Sequence, residues 1–197
     1  PDAAATIWRA VNAHGLRVGT LINCAGMGLA GEFAQQPLAA INDLIELNVL
    51  ALTQLTRFAV EAMRERGGTI VNVASLGGYV PGPYQAVYYA SKAFVLSFSE
   101  ALATELSGTG IRVVVVAPGP AQTTFHERMG TERALYRLLW PAASPDHIAR
   151  SIDWGMRLGL RVVIPGVLPR LLAIAVRLLP HFLTVPIVAE LIRPRRR

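Results

Sequence analysis

Short apolar runs alternate along the chain with longer stretches that have the length and spacing of helices. Residues 18–23, 69–74 and 111–117 are the apolar runs, and the last is almost entirely β-branched. Runs of this kind predict strands that are covered by helices on both faces. Residues 37–66 and 84–107 predict long helices, the first in one or two parts and ended by a Gly-Gly pair.

Both ends of the chain continue this alternation. Residues 3–14 predict a helix with an apolar side. Ser144 followed by Pro145 is typical of a helix start, so a further helix should run to about residue 158. Residues 161–164 predict a last short strand. Helices and strands that alternate through short loops predict an α/β fold with a doubly wound parallel sheet.

One pair of residues on the second long helix suggests catalytic chemistry. Lys92 is the only lysine among 19 basic residues, and it follows Tyr88 by four positions. On a helix this spacing puts both side chains on one face. A neighbouring cation favours the phenolate, so we expect a lowered pKa for Tyr88 and a role as a general acid/base. The compact ammonium of lysine also suits a ribose hydroxyl.

Small and polar residues follow three of the predicted strands, where ligands of parallel sheets bind. They are Asn23, Ala25 and Gly26 after the first strand, Ser75 after the second, and Pro118, Gly119 and Thr123 after the third. The small residues let a ligand approach the backbone, and the hydroxyl groups can hydrogen-bond a ligand oxygen. Ordinary turns use the same residue types.

Together these residues resemble the motifs of the short-chain dehydrogenase/reductase family over residues 1–165. The matching motifs are Asn-x-Ala-Gly at Asn23, Ala25 and Gly26, the helix asparagine at Asn48, the serine thirteen residues before the tyrosine at Ser75, Tyr-x-x-x-Lys at Tyr88 and Lys92, and the Pro-Gly turn with threonine at Pro118, Gly119 and Thr123. The resemblance implies a Rossmann-like fold and an NAD(P)-dependent oxidoreductase that interconverts a carbonyl and an alcohol.

The resemblance also implies a role for each matched residue. Tyr88 would be the general acid/base, Ser75 would hydrogen-bond the substrate oxygen, and Lys92 would hold the nicotinamide ribose. Asn48 would hold a water that links Lys92 to solvent. The residues that would contact NAD or NADP are Asn23, Ala25, Gly26, Tyr88, Lys92, Pro118, Gly119 and Thr123.

The start of the sequence departs from the family pattern. The family opens with a strand, a glycine-rich phosphate turn and two further strands, and no such segment precedes residue 18. We therefore expect residues 1–166 to be the catalytic portion of an N-terminally truncated dinucleotide-binding domain, inactive by itself. Its first strand should lie at an exposed edge of the sheet. Residues 167–197 should form an apolar, arginine-rich helical extension.

Composition and charge narrow the classes of function. The single cysteine, Cys24, excludes an internal disulfide and fits a reducing, cytoplasmic compartment. The four histidines, His126 among them, lack metal-ligand spacing, so we interpret them as surface or rim residues and expect no metal. Residues 1–160 carry 12 basic and 12 acidic side chains, which confines the net charge of +6 to the C-terminal segment. This distribution argues against nucleic-acid binding.

Residues 125–140 bear on the substrate. Their apolar members are Phe125, Met129, Leu135, Tyr136, Leu138, Leu139 and Trp140. An apolar lid over the site would favour a lipophilic or aromatic small molecule. The same pattern also fits helices that pack in the core.

The C-terminal segment allows three interpretations. The first is a transmembrane helix, which the sequence disfavours. Such a helix needs ~20 apolar residues, and this stretch is interrupted by Arg177, Pro180 and Pro186. Membrane-surface helices fit the basic amphipathic pattern, in which Arg170 and Arg177 share one face. Packing on the domain or on a dimer partner fits equally well, and we expect a homo-oligomer.

Two other functions also fit the sequence. Nucleotide-sugar epimerases and dehydratases use Tyr-x-x-x-Lys, but they carry a large C-terminal substrate domain, and only about 30 residues follow the last predicted strand here. A non-catalytic, membrane-associated or scaffold protein derived from the same fold is the second alternative.

Overall fold

The computed structural model describes residues 3–131, 134–139 and 141–194, without the side chains of residues 138 and 139. In these ranges, four parallel strands form a sheet in the order β1-β2-β3-β4. The strands are β1 (Thr20–Asn23), β2 (Gly68–Val73), β3 (Ile111–Val116) and β4 (Val162–Val163). Asn23 lies beside Asn72, and Val73 lies beside Val116, so the first three strands end at one edge. The predicted parallel α/β architecture is confirmed.

Helices cover both faces of this sheet. They are α1 (Ala3–Ala13), α2 (Leu38–Ile45), α3 (Leu52–Met63), α4 (Ala86–Glu105), α5 (Phe125–Met129), α6 (Leu135–Leu139), α7 (Pro145–Arg157), α8 (Val167–Leu178) and α9 (His181–Ile192). On one face, Met63 of α3 packs with Ile70 and Val113. On the other, Val71 and Val114 pack with residues of α7. Alternate strand residues thus build two hydrophobic layers, which explains the near-continuous apolar strands.

The long helix predicted over residues 37–66 is helical from Leu38 to Met63, but it is not uniform. A π-helical turn, Glu46–Ala51, joins α2 to α3 and contains the buried Asn48. Such turns inside α-helices are often found at functional sites. By length and composition, the stretch Leu38–Met63 could also cross a membrane. However, Asn48 and Thr56 hydrogen-bond inside the domain, as expected for a helix that packs on a sheet.

β1 lies at the edge of the described sheet, as predicted, and pairs with β2 alone. Ile22 is 50% exposed although it belongs to an apolar strand.

The C-terminal segment forms two helices of 12 residues each, α8 and α9, which are too short to span a bilayer separately. α8 contacts the turn after β2, and α9 contacts α6. Ala173 and Ile192 are buried by this packing. At the end of α9, Arg193 donates a hydrogen bond to the Tyr84 hydroxyl at 3.2 Å. One face of the pair therefore packs on the domain.

Candidate active site

A cavity of about 580 Å³ lies at the carboxyl ends of β2 and β3. Its wall from the strand ends includes Ser75, Pro118 and Gly119, and its wall from α4 includes Tyr88 and Lys92. The lid side is formed by Phe125, His126, Met129 and Tyr136, and the roof by Leu172, Val176, Val188 and Leu191. The cavity is therefore mostly apolar, with a few polar groups gathered at its floor.

Helix α4 places Tyr88 and Lys92 on its buried face, one turn apart. The ammonium nitrogen of Lys92 lies 6.0 Å from the centroid of the Tyr88 ring. It donates a hydrogen bond to the Val73 carbonyl oxygen at 2.9 Å, which ties α4 to the end of β2. The shared face inferred from the spacing is thus present, and both groups line the cavity.

The expected lowering of the Tyr88 pKa is wrong for this structure. Burial raises the pKa of Tyr88 to about 12, although a hydrogen bond with Ser75 acts in the opposite direction. Burial also lowers the pKa of Lys92 to about 8. Burial is the largest cause of both shifts, because the apolar surroundings disfavour the charged form of each group.

Ser75 stands at the start of a short 3-10 turn, Leu76–Tyr79. Its Oγ accepts a hydrogen bond from the backbone N–H of Gly77 at 3.1 Å. The side chain is thereby held at the cavity, within hydrogen-bonding reach of the Tyr88 phenol. Two hydroxyl groups consequently lie close together in the cavity wall.

Asn48 lies behind the cavity wall rather than in it. Its Oδ1 accepts from the Met27 N–H at 3.0 Å, and its Nδ2 donates to the Met27 carbonyl and to the Ser91 Oγ. Ser91 in turn donates to the Tyr88 carbonyl at 2.7 Å. Asn48 thus fixes the loop after β1 against α4.

Gly26, in the loop after β1, lies close to the side chains of Asn48 and Lys92. A Cβ at Gly26 would lie 3.3 Å from Asn48 Oδ1 and 3.5 Å from Lys92 Nζ. Glycine is therefore the residue that leaves the space beside the ammonium open to a ligand.

Asn23 belongs to a buried chain of polar side chains. Its Nδ2 donates to the Thr56 Oγ1 at 3.1 Å and to the Asn72 Oδ1 at 2.9 Å, and Asn72 donates to the Ser99 Oγ. This chain links β1 and β2 to α3 and α4. Among the residues expected to bind a cofactor, Gly26, Tyr88, Lys92, Pro118, Gly119 and Thr123 line the cavity, and Asn23 and Ala25 do not.

His126 is a cavity residue that the sequence alone did not reveal. It is half-buried, and its Nδ1 lies 2.8 Å from the Tyr136 hydroxyl. Burial lowers the pKa of His126 to about 4, so the imidazole is neutral at pH 7. Its half-buried position at the cavity fits the interpretation as a rim residue, and the contact with Tyr136 is an addition that the sequence did not reveal.

Gln85, the N-cap residue of α4, is a second cavity residue that the sequence alone did not reveal. It is 2% exposed and lines the cavity, and its Nε2 has no hydrogen-bond partner among the described residues. No cluster of three or more potential metal ligands occurs in the described ranges.

Part of the predicted apolar lid faces the cavity. Phe125, Met129 and Tyr136 line it, and Leu135 does not. The side chains of Leu138 and Leu139, and all of Trp140, lie outside the described residues.

Comparison with known proteins agrees with this fold and site. A family model described as short chain dehydrogenase matches residues 1–134. A ketoacyl reductase of a Nostoc species is 43% identical over 108 residues, which are 54% of this chain and 38% of that protein. Sulfoacetaldehyde reductase 2 of Chromohalobacter salexigens is 41% identical over 138 residues, which are 66% of this chain and 55% of that protein. The chain thus spans about half the length of such relatives or less.

Among solved structures, a short-chain dehydrogenase from Sphingobium yanoikuyae in complex with NADPH superposes with a TM-score of 0.77 at 34% identity. The alignment covers 89% of this chain and 68% of that one. The parallel α/β sheet, with Tyr88 and Lys92 of α4 in a cavity beside the strand ends, has the Rossmann-like fold class. Within that class, this chain belongs to the short-chain dehydrogenase/reductase family.

Proposed function

We propose that the protein is an NAD(P)-dependent oxidoreductase that interconverts a carbonyl and an alcohol. The observation that carries the proposal is the convergence of Ser75, Tyr88 and Lys92 at the floor of one apolar cavity. Three curated relatives, which are similar to this chain to about the same degree, are named reductases. Fold alone would not support this function, because one fold serves many activities.

The floor of the cavity fits the nicotinamide end of NAD or NADP. The bare backbone of Gly26 leaves room beside Lys92, whose ammonium uses one N–H on Val73 and has two more to donate to ribose hydroxyls. Pro118, Gly119 and Thr123 would flank the ring from the end of β3. When bound, the nicotinamide supplies the hydride. Asn23 and Asn48 would support this site from behind, through the contacts that fix the β1 loop.

In the direction of reduction, the hydroxyls of Ser75 and Tyr88 donate hydrogen bonds to the carbonyl oxygen and so polarise the carbonyl. With a pKa of about 12, Tyr88 stays protonated at neutral pH, which is the form that reduction requires. After the phenol gives its proton to the substrate oxygen, the ammonium of Lys92 stabilises the phenolate. The apolar lining of the roof and lid lowers the local polarity, which strengthens these electrostatic interactions.

The substrate class that fits the cavity is a lipophilic carbonyl compound or alcohol. The walls away from Ser75 and Tyr88 are lined by side chains such as Met129, Val176 and Leu191. Such walls favour an apolar chain or ring next to the reacting group. The ketoacyl reductase among the relatives is consistent with an acyl-type substrate.

The remaining aspects of the proposal concern partners and location. We propose a cytoplasmic location, supported by the single free cysteine, Cys24. A homo-oligomer would cover exposed apolar side chains such as Phe33 and Leu38. Peripheral membrane contact through residues 167–197 is supported by the apolar outer surface of α8 and α9.

A turnover assay tests the proposed function. The full-length protein is mixed with NADH or NADPH and with ketones of increasing alkyl length, and loss of the reduced cofactor is followed by absorbance. We expect turnover that improves with alkyl length, and strong impairment by Lys92→Arg, because the broad guanidinium fork cannot replace the compact ammonium. Unimpaired turnover by Lys92→Arg would contradict the role of Lys92. Absence of turnover by the wild type would favour the non-catalytic alternative.

A further inference from the structure

Helices α8 and α9 carry two apolar faces, and only one is covered. The inner face roofs the cavity through residues such as Leu172 and Val188. The outer face exposes Val167, Leu171, Ile174, Leu178, Phe182 and Ile187. The exposed fractions of these side chains run from 49% for Ile174 to 78% for Leu178.

The exposed apolar side chains of α8 form one stripe, and α9 adds further exposed apolar side chains. Residues 167, 171, 174 and 178 are spaced by four, three and four positions, so they make a single stripe along α8. Phe182 and Ile187 lie on the exposed side of α9, which follows after one short turn. Ala173, on the opposite side of α8, is buried. Contiguous apolar surfaces of this kind mark sites of interaction with a partner or a membrane.

The charges beside this surface indicate its partner. Arg170 and Arg177 are exposed, and Arg177 lies over the Tyr79 ring at 5.4 Å, which holds it at the margin of the stripe. Residues 161–197 contain seven arginines and one acidic residue, Glu190, whereas the rest of the chain is balanced. Arg170 and Arg177 would repel the same residues of a second copy, and they would attract an anionic lipid surface.

We propose that the outer face of α8 and α9 docks the protein on an anionic lipid bilayer. Apolar side chains of the stripe enter the interfacial region, and the arginines at its margin contact the lipid headgroups. Because the inner face of the same helices roofs the cavity, docking places the proposed active site directly above the membrane surface. The link to catalysis rests on the proposed function, whereas the docking rests on this surface alone.

Co-sedimentation of the full-length protein with vesicles tests the docking. The vesicles contain phosphatidylcholine alone or with about one third phosphatidylglycerol, at low salt and at about 0.5 M salt. The test variant is Leu178→Glu with Phe182→Glu. The control variant is Trp154→Glu with Leu158→Glu, which places equal charge on exposed apolar residues of α7 and its end.

The wild type and the control should bind the anionic vesicles, and added salt should weaken this binding. The test variant should bind at least about tenfold more weakly, because both new carboxylates oppose insertion and anionic headgroups. Failure of the wild type to bind, or equal binding of wild type and test variant, would overturn the proposal. A wild-type dimer that the test variant disrupts, without vesicle binding, would overturn it in favour of self-association.

Turnover of a short, water-soluble ketone separates the two proposals. All three proteins should reduce this ketone at similar rates, because the substitutions lie outside the cavity. If none of them reduces any ketone while vesicle binding follows the expected pattern, the proposed function fails and the docking proposal stands.

Discussion

Replacement of Lys92 by methionine should make the protein more stable and abolish its chemistry. Lys92 is 6% exposed, and burial lowers its pKa from 10.5 to about 8. This difference corresponds to roughly 3 kcal/mol by which burial penalises the ammonium. Lys92→Met keeps the length of the side chain and loses the charged hydrogen bond to Val73, which contributes about 1.5–3 kcal/mol. The free energy of unfolding at pH 7 should therefore rise by up to about 1.5 kcal/mol.

The gain should depend on pH in a defined direction. The folded-state pKa is below the unfolded one, so the penalty on the wild type is fully present below pH 8. It is lost as the pH rises from about 8 to 10.5, because the folded protein then releases a proton that the unfolded chain keeps. The stability advantage of Lys92→Met should vanish over that interval.

Two measurements check this reasoning. Urea unfolding of both proteins at pH 7 and above pH 10 gives the difference in free energy of unfolding. Because Lys92 is the only lysine in residues 1–197, this chain labelled with ε-13C lysine gives one titrating NMR signal. Its midpoint should lie near 8 without cofactor. A midpoint at or above 10.5, or a variant less stable than the wild type at pH 7, would refute the argument.

Two further substitutions test the neighbouring contacts. Gly26→Val should raise the KM for the reduced cofactor by about tenfold or more. A Cβ at this position already lies 3.3 Å from Asn48 and 3.5 Å from Lys92, and the valine side chain would extend further. The control is Gly19→Val, whose side chain would enter open space and should leave the KM unchanged. Asn23→Ala should lower the free energy of unfolding in urea by about 2–4 kcal/mol, because it leaves a cavity and unpaired oxygens on Thr56 and Asn72. A loss below about 0.5 kcal/mol would contradict the structural role given to Asn23.

The sequence predicts the strands and the face of α4 well, because both depend on local patterns. β3 consists of five β-branched residues and one arginine. Tyr88 and Lys92 lie one turn apart on any helix, independently of what packs around it. The parallel register then brings Ser75 and Pro118 to the same edge. The composition of the site follows from this topology.

Other properties arise only from packing. The pKa of Tyr88 depends on how completely the lid and roof remove it from water, which its spacing from Lys92 does not reveal. The inward position of His126 depends on how α5 and α6 meet. In the C-terminal segment, domain packing was predicted as an alternative to membrane contact. In the structure, one face packs on the domain while the other stays exposed.

The central claim is that Tyr88 is the proton donor of a carbonyl reductase, and a matched pair of variants tests it most directly. Tyr88→Phe and Tyr89→Phe each remove one phenol hydroxyl from the same cavity wall. Tyr88→Phe should lower the turnover number of ketone reduction by about 10²–10⁴-fold, as expected for loss of a general acid, and Tyr89→Phe should lower it far less. Near wild-type turnover by Tyr88→Phe, or equal losses in the two variants, would contradict the account.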